Sequence, residues 1–99
     1  MGWATEHILK LQAGETVRFS PRGRSMEPAV RDGQEVTVEP VYSGNGIEPG
    51  DVVLCKVKGF EYLHLVKAYD KAAHKFLIGN NKGRVNGWID CNAIYGKMI

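Results

Sequence analysis

A mainly β fold, in the form of a small, partly open barrel, is the architecture this sequence predicts, and three observations carry it. Six short stretches rich in β-branched and aromatic residues recur along the 99-residue chain, each bounded by turn formers. Twelve glycines and four prolines interrupt it too often for long helices. Apolar residues at helical spacing occur only in TEHILKL, residues 5–11, enough for one short amphipathic turn.

Residues 1–15 read as an N-terminal segment and 16–99 as one domain, because a chain of this length has room for a single core. The predicted strands span residues 16–20, 35–39, 51–58, 60–69, 75–78 and 93–98. The second alternates apolar and polar residues, whereas the third contains the continuous run Val52-Val53-Leu54-Cys55. Lys58-Gly59 joins the third and fourth strands tightly, with glycine supplying the backbone angle a hairpin needs. YSGNGIEPGD, residues 42–51, is a loop. In the fourth strand Phe60, Tyr62, His64, Val66 and Ala68 share one face, and Glu61, Leu63, Leu65, Lys67 and Tyr69 the other. Both faces are largely apolar, so the middle of this strand is expected to be buried on both sides, and His64 is its one polar side chain there. No strand is predicted between the fifth and the last. Asn86-Gly87 reads as a turn, after which Trp88 is expected to cover the core while Trp3 frays with the N-terminal segment.

Thirteen basic and eleven acidic residues leave a formal charge of +2, too small to make nucleic acid an obligate partner. Arg18, Arg22, Arg24 and Arg31, with Glu27 the only acid among them, form a basic corner that could face an acidic partner or simply solvent. Apolar runs are too short for a membrane span, so no membrane anchor is expected. The N-terminus lacks the charged-then-apolar pattern of a secretory signal, and a cytoplasmic location is the expectation. Cys55 and Cys91 have no CxxC spacing and read as free thiols. His7, His64 and His74 show no ligand spacing, so neither a metal nor another cofactor is expected.

GRSMEPAVRDGQEVTV, residues 23–38, sets a serine at a corner: Gly23 permits close approach of the chain and Pro28 ends the extended segment. A serine placed this way is either a nucleophile, served by a base and by free backbone N–H groups, or the cap of a short turn. Residue type alone leaves both readings open.

This stretch resembles the nucleophile box of the superfamily that joins type I signal peptidases with the LexA-like self-cleaving peptidases. IEPGDVVLCKV resembles the next box, YLHLVKAYD falls where that family places its general base, and KFLIGNN with the closing IYGKMI resembles the last boxes. The similarity runs from about Thr16 to the C-terminus. It implies a LexA/signal peptidase fold and a serine endopeptidase, a hydrolase acting on a peptide or protein substrate in extended conformation. Ser25 would be the nucleophile, and the N–H groups of Ser25 and Met26 the oxyanion donors. The apolar anchor of a signal peptidase is not found, and only 24 residues precede Ser25, too few for the DNA-binding domain of a repressor, so a bare core is expected.

For the base, His64-Leu65-Val66 resembles the histidine-type enzymes rather than those with lysine. Lys67 lies an odd number of residues away and points to the other face. A neutral imidazole is also a competent base near neutrality. A histidine merely satisfied by a backbone carbonyl is the other expectation for position 64. Where histidine-type enzymes carry aspartates, this chain has Asn80 and Asn86, amides that can accept a bond from imidazole but cannot stabilise imidazolium by charge. Asp90 is the nearest carboxylate left. Asn80, Asn86 and Asp90 are therefore the candidates to orient His64. The amides favour a second expectation, a catalytically inactive peptide- or protein-binding module on the same fold.

Overall fold

Alternating apolar residues drive most of this chain into strands, and the computed structural model, which describes residues 2–99, contains seven of them. The order is α1 (Thr5–Gln12), β1 (Val17–Phe19), β2 (Val36–Pro40), β3 (Val52–Val57), β4 (Phe60–Asp70), β5 (Lys75–Gly79), β6 (Val85–Asp90), a single 3-10 turn (Cys91–Ala93) and β7 (Ile94–Met98). All strands are antiparallel in one open sheet ordered β1-β2-β7-β3-β4-β5-β6. The mainly β class holds. The edge strands β1 and β6 do not pair with each other, yet β3 and β6 touch across two intervening strands, so the sheet curls without closing.

The strand absent from the sequence reading is β6. Asn86-Gly87 is no turn: Ile78 lies opposite Gly87 and Gly79 opposite Val85, which leaves Asn86 as the extra residue of a β-bulge. Gly87 has φ 142, a conformation open to glycine at little cost. An internal Asn-Gly marks a bulge as readily as a hairpin turn, and here tertiary pairing selects the bulge.

Each face of the sheet carries its own core. On one face Val17, Val36, Val38, Val52, Leu54 and Leu63 pack against Ala4, Ile8 and Leu11 of the N-terminal segment and against Met26 and Val30. Gly96 makes this approach possible, since a Cβ there would lie 2.9 Å from Leu11 Cδ1 and 2.5 Å from Val38 Cγ1. On the other face Val53, Cys55, Val57, Val66, Phe76, Ile78, Ile89 and Ile94 pack together inside the curl. Burial there pushes the Cys55 thiol up to about 12, leaving it an inert small hydrophobe. Phe76 is 1% exposed, and Phe76→Ala is expected to cost about 3–5 kcal/mol, read from the urea midpoint. A loss below about 1 kcal/mol would mean that this second core contributes little.

The N-terminal segment is held to the sheet. Helix α1 has no side-chain cap of its own, and Glu61 of β4 supplies one, its carboxylate accepting from the Ala4 N–H at 2.6 Å and the Thr5 hydroxyl at 2.7 Å. The Trp3 indole N–H donates to the Glu61 carbonyl at 3.1 Å. The expected contrast between the tryptophans is therefore absent: Trp3 is 52% and Trp88 51% exposed, because Trp88 stands on the outward face of an edge strand. Among the described residues no helix is long and apolar enough to cross a membrane.

Candidate active site

After β1 the chain turns through residues 23–30, and the two buried side chains of that turn, Met26 and Val30, fasten it to the first core. Gly23, at φ 107, donates its N–H to Asp32 Oδ1 at 2.8 Å, and the Val30 N–H donates to the Met26 carbonyl at 2.9 Å. A second clamp comes from the β5–β6 connection. The Asn81 N–H donates to the Ser25 carbonyl at 2.9 Å and its Nδ2 to the Met26 carbonyl at 3.1 Å. With both carbonyls held, the N–H groups of Ser25 and Met26 donate to no acceptor among the described residues. Asn81 escaped the sequence reading, although its place in a tandem Asn-Asn after a glycine was the signal available.

Ser25 Oγ lies 3.3 Å from His64 Nε2, and His64 Nδ1 lies 2.7 Å from Asn86 Oδ1. An amide oxygen only accepts, so Nδ1 carries the proton and donates, and the Nε2 lone pair faces the serine hydroxyl. Burial lowers the His64 pKa below the ordinary imidazole value. The Asn86 bond opposes this, and the Arg84 guanidinium lowers the pKa further. Burial thus favours the neutral ring.

The bulge decides which candidate meets the imidazole. As the inserted residue of β6, Asn86 is aimed at His64 from the edge of the sheet. Asn80 makes no hydrogen bond to the ring: its Oδ1 accepts from the N–H groups of Lys82 at 2.8 Å and Arg84 at 2.9 Å, closing the β5–β6 turn. Asp90 is four residues further along β6, about 13 Å of extended chain, where it lies opposite Lys75 and accepts from Cys91 Sγ at 3.2 Å. Lys67 is itself the extra residue of a bulge between Val66 and Ala68, and its stem covers Gly79, the partner of Leu65. It therefore lies on the Leu65 side of the sheet, opposite His64.

A cleft of about 370 Å³ opens beside the serine, lined by residues of the 21–25 segment, by residues 61–64 of β4, by Asn86 of β6 and by Trp3. Its floor is a free strand edge. β3 pairs with β4 from Phe60 to Leu65, but β5 joins only from Leu65 onward, so no strand flanks the outer side of residues 60–64. The two-residue hairpin makes Val57 and Phe60 a hydrogen-bonded pair, which turns Tyr62 and His64 backbone groups toward β3 and those of Glu61 and Leu63 outward. The Trp3 indole on the Glu61 carbonyl fits that parity.

Asn81→Ala is expected to cost about 1 kcal/mol in urea unfolding and to slow modification of Ser25 by a serine-directed reagent. Lost stability with unchanged Ser25 reactivity would make Asn81 a structural residue only. No protein-family model matches this chain, and no curated protein matches it.

Proposed function

We propose that this chain is a small serine endopeptidase domain, similar in plan to the core of signal peptidases and LexA-like peptidases, that cuts extended peptides with Ser25 as nucleophile and His64 as base. The observation that carries the reading is the chain of contacts from Ser25 Oγ through His64 to Asn86, beside two unengaged N–H groups. The substrate adds as a strand to the outer edge of β4, where Leu63 presents its N–H and carbonyl, and lies with its cut bond over Ser25.

Ser25 Oγ attacks the carbonyl carbon while its proton passes to His64 Nε2. The oxyanion is met by the N–H groups of Ser25 and Met26. His64 returns the proton to the departing amine, the peptide C–N bond breaks, and an ester remains on Ser25. Water attacks this ester through the same base, releasing the acid and restoring the serine. Asn86 holds the ring in the tautomer that accepts.

A fluorophosphonate probe tests the reading, because it modifies activated serines only. Labelling that maps to Ser25 by mass spectrometry, vanishes in Ser25→Ala and weakens strongly in His64→Ala is the expected result. An unlabelled, folded protein would reject it. One observation favours a second reading, an inactive peptide-binding module: the group behind His64 is an amide, not a carboxylate. In that case peptides bind the β4 edge without labelling.

A further inference from the structure

The walls of the cleft carry charge that neither catalysis nor folding uses. Arg22 and Arg84 both line the cleft, the first three residues before Ser25 and the second two before Asn86. Both are exposed, and among the described residues neither has a carboxylate within ion-pair distance. Two acids at the cleft are already engaged. Glu61, the one carboxylate lining the cleft, caps helix α1, and Asp32 at its rim accepts the Gly23 N–H. Two arginines without a carboxylate partner thus line one cleft whose own anions are turned to structural bonds, a composition that suits a carboxylate.

We infer that the cleft selects peptides bearing an aspartate or glutamate side chain within about two residues of the cut bond, held by Arg84 and Arg22. This deepens the peptidase reading and rests on its placement of the substrate. Free terminal carboxylates share the chemistry, and blocked peptides separate the two sources. Arg84 also lies close enough to lower the basicity of His64, so a carboxylate seated on it offsets that field when the base is needed. Arg22 and Arg84 act here as specificity residues, not as catalytic ones.

The test uses the full chain as Ser25→Ala, which binds without cutting. Acetyl-Ala-Asp-Ala-Ala-amide and its Asn counterpart, both blocked at each end, are titrated by NMR at low and high salt, with a Lys peptide as a third arm. The Asp peptide is expected to bind about tenfold tighter than the Asn peptide, with shifts at His64 and Leu63. The preference is expected to shrink in 0.5 M salt, a concentration at which the Debye length is only about 4–5 Å. Arg84→Gln and Arg22→Gln are each expected to reduce it severalfold, and Arg31→Gln, outside the cleft, to leave it unchanged. Equal affinity for Asp and Asn, tighter binding of the Lys peptide, no binding of any of them, or a preference confined to peptides with a free C-terminus would overturn the inference. Fluorophosphonate labelling of the parent is read separately. Labelled Ser25 without acid preference defeats this inference alone, and acid preference without labelling defeats the catalytic reading alone.

Discussion

Ser25→Ala and His64→Ala are each expected to lower hydrolysis of a small-residue peptide by about 10³-fold or more, while Lys67→Ala leaves it within about twofold. The asymmetry follows from position. Ser25 and His64 face each other at 3.3 Å, and Lys67 covers Gly79 on the opposite face of the sheet. The double variant Ser25→Ala/His64→Ala is expected to be no worse than either single one, since a nucleophile and its base act as a unit. Initial rates on a fluorogenic peptide, with circular dichroism to establish folding, make the comparison. Loss of activity in Lys67→Ala with retention in His64→Ala would make lysine the base and refute the dyad.

Asn86→Asp is expected to raise kcat by about 10–100-fold. Aspartate has the size of asparagine and can accept the same proton from His64 Nδ1, but it adds a negative charge beside the imidazolium that forms in the transition state. In Ser-His-Asp enzymes the reverse change costs about 10⁴, much of it through a wrong tautomer. Here the amide oxygen already holds the right tautomer, so only the charge remains to be gained. Asn80→Asp, at a residue whose Oδ1 is bonded within the β5–β6 turn and not to the ring, is expected to change little. Gain at 80 and none at 86 would disprove the geometry.

The pH profile separates these effects. Burial holds the His64 pKa below its ordinary 6.5, so parent activity is expected to stay flat down to below that value before falling as the base is protonated. In Asn86→Asp the added carboxylate raises the pKa, and the acid limb moves to higher pH. Stability carries the same sign. As pH falls from 6.5 toward the lower folded value, the unfolded chain takes up the proton first, so the folded state loses stability on acidification in that window. With the carboxylate present this loss diminishes. Urea midpoints at pH 5 and 7.5 for the two proteins measure it, and an unchanged difference would argue against coupling between residues 86 and 64.

Much of the fold was legible in the residues. β-branched runs, turn glycines and the Lys58-Gly59 hairpin mark β2, β3, β4, β5 and β7 to within one or two residues, because a strand buried on a sheet face leaves its period in the chain. TEHILKL shows in the same way as helix α1, although its docking on Gly96 and its capping by Glu61 do not. β6 left no such trace. Val85, Asn86, Gly87 and Trp88 lack alternation because the strand is an edge with a bulge, stabilised by pairing with β5 rather than by its own pattern.

The site divides along the same line. Sequence by itself determined the local chemistry: a serine on a Gly- and Pro-bounded turn, a histidine in a strand buried on both faces, and a parity that separates His64 from Lys67. Those follow from bond geometry and from a period of two, which hold wherever a strand forms. Tertiary structure alone decided the partners. Ser25 meets His64 across 39 residues of chain, Asn81 clamps the serine turn from the β5–β6 connection, and Asn86 rather than Asn80 or Asp90 reaches the imidazole. The physical reason is the bulge. One inserted residue shifts the register of everything after it, and its position is set by the neighbouring strand's hydrogen bonds, which no local pattern encodes.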